Sequence, residues 1–183
     1  MKAAFEIERF VEDVARACAD GQEAVGEVLA RAVATPDGVR AGLGKPRKAG
    51  LSVLHRGDDL TILDVVWAPR MLLLPHDHKL WASIGIYAGR EDNIIWERVG
   101  STIEAKRAMS LSETDVFALP RDGIHSVVNP ISRHTGAIHI YGGDFFAPGR
   151  SEWDPETLSE RPFDQEALRK YFRAADERAD PSA

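Results

Sequence analysis

The chain has 183 residues and a net charge of -6 at neutral pH. This length suits one well-buried domain and is short for two. The acidic balance argues against a nucleic-acid-binding surface, because such surfaces need Lys and Arg to neutralise phosphates. The N-terminus carries acidic residues where a signal peptide needs an apolar core, and no stretch approaches about 18 consecutive apolar residues. The sequence therefore predicts a cytoplasmic protein with neither a nucleic-acid partner nor a membrane partner.

Two helices are predicted near the N-terminus. From Phe5 to Cys18 the apolar residues step mostly by three and four positions, which is the pattern of an amphipathic helix, and Gly21 is expected to end it. A second helix is predicted over Gln22 to Val33. The stretch 35–50 is rich in Pro, Gly and basic residues and is interpreted as a loop. Cys18, the only cysteine, cannot form an internal disulfide and is expected to be a structural thiol.

Short apolar or alternating runs fill the segment from Leu51 to Gly143, separated by Gly, Pro, Asn and Asp. Many short strands with regular turns are typical of an all-β sandwich or barrel. Two acidic pairs, Asp58–Asp59 and Glu91–Asp92, are interpreted as turns. The predicted strands are LSVLH, LTILDVVW, RMLLLP, WASIGIYAG, NIIWERV, DVFALP, HSVVN and GAIHIYGG.

The C-terminal tail has Pro and Asp breaks and then a predicted helix over Gln165 to Ala175. We therefore expect one domain with three parts. These are an N-terminal helical segment packed on a barrel (1–50), the barrel itself (51–150), and a C-terminal tail with one helix (151–183).

Four of the six histidines stand in patterns that point to chemistry. His76 and His78 are two positions apart beside a predicted strand, so their imidazoles would point to one face, as metal ligands do. His125 follows a Pro-x-x-Gly turn, and His139 precedes Tyr141 by two positions on one strand face. A barrel brings distant strands together, so His76, His78 and His125 could converge on a metal and leave positions open for exogenous ligands. Each residue alone also has an ordinary structural explanation, as a turn cap or as core packing.

Together these residues resemble the cupin double motif, and in particular the cysteine dioxygenase branch of the thiol dioxygenases. PHDHKLWASIGIYAG carries His-x-His and ends at Gly89, where the first motif ends, and GIHSVVN carries Gly-x-His-x3-Asn. Trp67 precedes His76 by nine residues, as in that branch, and AIHIY is similar to its Ser-x-His-x-Tyr. The resemblance covers roughly the segment from Leu51 to Tyr141.

The resemblance implies a fold and an activity. The fold is an all-β core, a cupin double-stranded β-helix or jelly-roll barrel, with N-terminal helices and a C-terminal helical tail. The implied cofactor is Fe(II), with other divalent metals possible, held by His76, His78 and His125. The implied reaction oxidises a small thiol, such as cysteine or 3-mercaptopropionate, to its sulfinic acid with O2. Tyr141 would then steer bound oxygen or substrate, and His139 would hold the tyrosine or a water in place.

The departures from the family pattern also carry information. The glutamate ligand of ordinary cupins falls at Ala82, which leaves three neutral imidazoles. A site without a protein carboxylate favours capture of an anionic thiolate, so this absence fits the thiol dioxygenase branch. The cysteine partner of the family's tyrosine crosslink would fall at Ala82 or Ser83, so no thioether to Tyr141 can form. Ala137 replaces the family's serine, which removes the hydroxyl that would orient His139.

Cysteine dioxygenases clamp the substrate carboxylate with an arginine upstream of the tryptophan, because a guanidinium binds a carboxylate through two parallel hydrogen bonds. Arg56 is predicted for this role, with His55 and Arg70 as alternatives. Each could equally be a polar group on the solvated rim. Cysteine, 3-mercaptopropionate and cysteamine therefore all stay open as substrates, as do the metal and the oligomeric state.

An alternative function is a cupin that binds a small molecule without oxidising it, or that uses Zn, Mn or Ni for non-redox chemistry such as isomerisation. Three imidazoles suit several of these metals. A storage or scaffold barrel with no metal would make the spaced histidines a coincidence. No Gly-x-Ser-x-Gly, Gly-x4-Gly-Lys-Ser/Thr or Cys-x-x-Cys motif occurs, so hydrolase, nucleotide-binding and zinc-ribbon interpretations lack their residues.

Overall fold

The structure, a computed structural model, describes residues 5–179. Within that range four α-helices flank a set of eleven strands. The helices are α1 (Ile7–Ala17), α2 (Gln22–Val33), α3 (Pro36–Leu43) and α4 (Gln165–Ala179). The predicted bounds of α2 are confirmed, and α4 extends four residues beyond its predicted end. Cys18 lies in a short 3-10 turn after α1, is half-buried, and packs against the cluster beneath the N-terminal helices.

Helix α3 corrects the prediction of a loop over 35–50. Pro36 lies in its first turn, where the fixed φ of proline suits a helix and the missing N–H costs nothing. Val39 is buried on its inner face, and Gly44 ends the helix with a φ of 94°. One apolar contact and a well-placed proline thus outweigh the glycines that favoured a loop.

The strands form two antiparallel sheets that share one core. They are β1 (Gly50–Arg56), β2 (Thr61–Trp67), β3 (Leu72–Asp77), β4 (Ala82–Ala88), β5 (Arg90–Val99), β6 (Thr102–Ser112), β7 (Val116–Leu119), β8 (Ile124–Val128), β9 (Thr135–Tyr141), β10 (Ser151–Trp153) and β11 (Glu160–Pro162). One sheet has the order β1-β2-β9-β4-β7, and the other has the order β11-β10-β3-β8-β5-β6. Strands far apart in the chain are therefore neighbours, as in the predicted double-stranded β-helix. The predicted fold class is confirmed.

Strands β6, β10 and β11 are not predicted by the sequence. Most side chains of β6 are exposed, so the strand shows no apolar alternation. It is stabilised by its pairing with β5 along its whole length. The acidic pair Asp58–Asp59 lies between β1 and β2, as a hairpin turn should. The pair Glu91–Asp92, by contrast, lies inside β5, and Glu91 has no exposed surface, so its prediction as a turn is wrong.

The two larger of the three apolar clusters among the described residues hold the layers of the fold together. One lies between the sheets, where Trp67, Leu73 and Phe172 from β2, β3 and α4 pack together. The other joins α1 and α2 to the outer face of the first sheet. Gly85 permits this close approach, since a Cβ there would lie 2.8 Å from Leu29 Cγ. Among the described residues, no helix is both long and apolar enough to cross a membrane.

Candidate metal centre

Three histidines meet inside the barrel. His76 in β3 and His125 in β8 are cross-strand partners, and His78 follows the end of β3. Because residues two apart in a strand point to the same face, His76 and His78 both turn inward. The Nε2 atoms of His76 and His78 lie 3.2 Å apart, and one nitrogen from each of the three rings lies within 4.8 Å of the others. The structure thus brings together the three residues that the sequence singled out as metal ligands.

Burial keeps these imidazoles neutral. All three side chains are buried, and desolvation lowers the pKa of His76 to about 4. Desolvation, with the neighbouring imidazoles adding to it, holds the pKa values of His78 and His125 well below their ordinary range. A neutral imidazole keeps the lone pair that a metal needs.

Hydrogen bonds determine which nitrogens face the centre. His76 Nδ1 donates to the carbonyl of Leu74 at 3.0 Å, and His125 Nδ1 donates to Asn93 Oδ1 at 2.8 Å. Each Nε2 therefore carries a lone pair. Within residues 5–179, the buried Nε2 of His125 has no hydrogen-bond partner. A divalent metal would satisfy it, so the residues present fit a metal ion.

The histidines face a small cavity of about 20 Å³, roughly the room of one water molecule. Its walls are mostly apolar and come from both sheets and from the C-terminal segment. Leu168 and Phe172 of α4 close one side, together with Phe163 just before that helix. A substrate therefore requires one of these walls to move.

Arg150 is a charged residue in this cavity that the sequence did not predict. It precedes β10, and Glu152 of β10 pairs with His76, which brings Arg150 to the histidines. It is only 6% exposed, and its guanidinium carbon lies 4.1 Å from the ring centres of both Phe145 and Phe163. Two aromatic faces therefore hold the guanidinium by cation–π contact.

The guanidinium of Arg150 has N–H donors that are not used in any hydrogen bond among the described residues. Across the described part of the chain, neither Nη1 nor Nη2 finds a hydrogen-bond partner. Burial lowers the pKa of Arg150, but an arginine stays charged under these conditions. An unpaired buried cation is costly unless an anion joins it. The cavity is therefore suited to an anionic ligand.

The three residues predicted as substrate clamps lie elsewhere. Arg56 is on the surface with its side chain 52% exposed, and Asp144 binds its guanidinium through two hydrogen bonds of 3.0 and 2.8 Å. Arg70 donates to the carbonyl of Pro130. None of Arg56, His55 and Arg70 is among the described residues that line the cavity. The structure does not bring the predicted clamp to the histidines.

Tyr141 and His139 line the cavity from β9. The Tyr141 hydroxyl lies 3.0 Å from His139 Nδ1, and its ring meets that of His78 edge to face with centroids 4.9 Å apart. Burial raises the pKa of Tyr141, which therefore stays a phenol. Ala82 is the cross-strand partner of Tyr141, at the position where the sequence placed the missing cysteine of the crosslink.

This chain is similar to several solved structures. No family model matches the sequence. A Bacillus halodurans protein is 18% identical with a TM-score of 0.48, and the match covers 52% of this chain and 71% of that one. An RmlC-like cupin family protein with a double-stranded β-helix fold, from Methanocaldococcus jannaschii, is 11% identical with a TM-score of 0.46, covering 54% of this chain and 84% of that one.

Oxalate decarboxylase from Bacillus subtilis, a protein with Mn(II) centres, is 16% identical with a TM-score of 0.42. This match covers 50% of this chain and 23% of that one. All three TM-scores are below 0.5.

The first prediction concerns the ligand set. Replacing His125 by Ala should abolish stoichiometric binding of a divalent metal, because only two of the three imidazoles would remain. The barrel should stay folded, since its core does not depend on an ion as a zinc finger does. Metal content after dialysis, measured by atomic emission together with circular dichroism, checks both statements.

The half-buried His55 provides the control, since it lies outside the cavity. His55→Ala should keep full metal occupancy. A His125→Ala protein that also keeps full occupancy would show that the ligand set is wrong.

Proposed function

We propose that the protein is a non-haem iron enzyme that oxidises a small thiol bearing a carboxylate to its sulfinic acid with O2. The observation that supports this proposal is the presence, in one small cavity, of three neutral imidazoles and a buried guanidinium whose Nη1 and Nη2 have no hydrogen-bond partner among the described residues. The imidazoles would hold Fe(II), and Arg150 would hold the substrate carboxylate.

Charge in the cavity favours this substrate class. Three neutral ligands leave the full charge of a bound divalent ion in place, and Arg150 adds a second positive centre. The described residues that line the cavity include no acidic side chain. A short thiol acid offers a thiolate to one positive centre and a carboxylate to the other. Cysteamine has no carboxylate for Arg150, and the ammonium of cysteine would find no counter-charge, so 3-mercaptopropionate fits best.

The reaction balances without a further reductant. A thiolate and O2 give a sulfinate, in which both oxygen atoms end on sulfur, so sulfur loses four electrons and dioxygen gains four. Bound iron would supply the one-electron chemistry that allows O2 to react with a thiolate. No other redox group is required.

The chain's own residues would bind, orient and shield the substrate. The guanidinium can donate two parallel hydrogen bonds to a carboxylate, which fixes both its position and its direction. Tyr141, held as a phenol against His139, would offer its hydroxyl to the reacting oxygen or sulfur. The apolar walls, including Trp67 and Phe172, exclude bulk water and strengthen these contacts.

The second prediction tests both the substrate and the clamp. The anaerobically reconstituted Fe(II) protein should consume O2 with 3-mercaptopropionate and form one sulfinate per O2, and should respond weakly to cysteamine. Arg150→Met should lower kcat/KM for 3-mercaptopropionate by roughly thirtyfold or more, the scale of losing one partner of a buried charge pair at about 2–5 kcal/mol. An oxygen electrode and mass spectrometry of the product measure both quantities.

Arg56→Met is the matched control and should leave kcat/KM within about twofold of the wild-type value, because Arg56 is occupied by Asp144 on the surface. The opposite result, a loss of kcat/KM in Arg56→Met alone, would show that the substrate carboxylate binds to Arg56, as the sequence predicts. No oxygen uptake with any thiol tested would favour the non-redox cupin that uses another divalent metal.

The third prediction separates Tyr141 from the metal ligands. Tyr141→Phe should retain metal and thiol binding, because the hydroxyl is not needed for either. Turnover should fall by roughly ten- to a thousandfold, the scale of losing one positioned hydrogen-bond or proton-transfer group. His139→Gln should slow turnover more mildly. Stopped-flow oxygen consumption reports the rate, and an unchanged rate in Tyr141→Phe would make the tyrosine an ordinary core residue.

A further inference from the structure

Glu91 is a carboxyl side chain with no exposed surface, on the inner face of β5. It does not line the cavity. Its Oε2 accepts a hydrogen bond from Trp67 Nε1 at 2.7 Å, and its Oε1 accepts one from Asn93 Nδ2 at 3.0 Å. Burying a carboxylate is costly even when both oxygens are satisfied. The Nε2 atom of His139 also lies 3.7 Å from this Oε2.

A line of contacts runs from Glu91 to the candidate metal centre. Asn93 is two residues beyond Glu91 in β5, so both side chains lie on the same face of the strand. The Asn93 amide donates from Nδ2 to Glu91, and its Oδ1 accepts the Nδ1–H of His125 at 2.8 Å. The other nitrogen of His125, Nε2, is buried and finds no hydrogen-bond partner among the described residues.

The carboxylate of Glu91 fixes which group donates and which accepts in each hydrogen bond between Glu91 and His125. A carboxylate only accepts hydrogen bonds, so Asn93 must turn its NH2 group toward Glu91 and its carbonyl oxygen toward His125. That oxygen also only accepts, so His125 must carry its proton on Nδ1. The lone pair of the ring is then on Nε2, where a metal can take it.

We propose that Glu91 is the positioning residue of the metal centre, which orients the amide of Asn93 and thereby selects the tautomer of His125. Its negative charge also lies behind a site whose ligands are all neutral, where it offsets part of the charge of a divalent ion. This inference rests on the metal-binding part of the proposed function and not on the thiol reaction.

A glutamine at position 91 would remove the constraint while keeping the shape. Its amide can donate as well as accept, so Asn93 would be free to reverse. A reversed Asn93 would present NH2 to His125 Nδ1, which would then hold the lone pair. The proton would move to Nε2, where it blocks the metal.

The fourth prediction follows from this reversal. In metal-free wild-type protein, the imidazole nitrogen shifts of His125, read by long-range proton–nitrogen NMR, should show the Nδ1–H tautomer. Glu91→Gln should populate the Nε2–H tautomer and weaken Co(II) binding by about ten- to a hundredfold, as for other partners of a metal-ligating histidine. Titration followed by the visible absorption of Co(II) gives the affinity.

Asp64→Asn is the control. Asp64 is a half-buried carboxyl that accepts a hydrogen bond from the Tyr87 hydroxyl at 2.8 Å. This variant changes a carboxyl to an amide, as Glu91→Gln does, and should leave both the His125 tautomer and Co(II) affinity unchanged.

Asn93→Ala interrupts the contacts between Glu91 and His125 at their middle residue. It should therefore weaken Co(II) binding as Glu91→Gln does.

Retention of the Nδ1–H tautomer and of wild-type Co(II) affinity in Glu91→Gln would overturn the inference. If that variant does not fold, wild-type affinity in Asn93→Ala would overturn it equally. Failure of the wild-type protein to bind Co(II) would instead contradict the proposed metal site. In that case the tautomers of metal-free wild-type and variant proteins would still decide the role of Glu91.

Discussion

The antiparallel register of β3 and β8 places His76 directly opposite His125, and the rest of the site is arranged around that pair. Directly opposed residues of an antiparallel pair project to the same face, so two imidazoles meet without any local motif that joins them. His78 adds the third imidazole from two positions further along. On the other side of β3, β10 pairs with the same His76 and brings Arg150 to the cavity. A shift of one residue in either pairing would turn these side chains to the outside.

The charges around the centre are distributed unequally. The cavity holds neutral imidazoles and the positively charged Arg150, whereas the buried carboxylate of Glu91 lies behind the cavity wall, bound by Trp67 and Asn93. A divalent ion bound by the histidines would thus lie between the negative charge of Glu91, behind the cavity wall, and the positive charge of Arg150, inside the cavity. An anion that enters this space would meet attraction from Arg150 and from a bound ion. The arrangement therefore favours the binding of anions, because no carboxylate among the described residues that line the cavity would neutralise the metal before an anion binds.

Much of the fold and part of the site can be predicted from the sequence. Apolar periodicity predicts α1, α2 and most strands, and the spacing of His76, His78 and His125 predicts the metal-ligand candidates. Arg150 has no such signal, because it follows the last strand with a clear apolar pattern and reaches the cavity only through the pairing of β10 with β3. Glu91 follows the left-handed Gly89 and so has the local features of a turn residue. Its burial depends on Trp67 and Asn93, partners that local sequence does not connect to it.

The central claim is that the three imidazoles hold an iron ion that binds the thiol of the substrate directly. X-ray absorption at the iron edge tests this claim with the Fe(II) protein, first alone and then with 3-mercaptopropionate under argon. The account predicts imidazole scattering in both samples and one added sulfur ligand in the second. A coordination sphere that contains only nitrogen and oxygen, unchanged by the thiol, would contradict it.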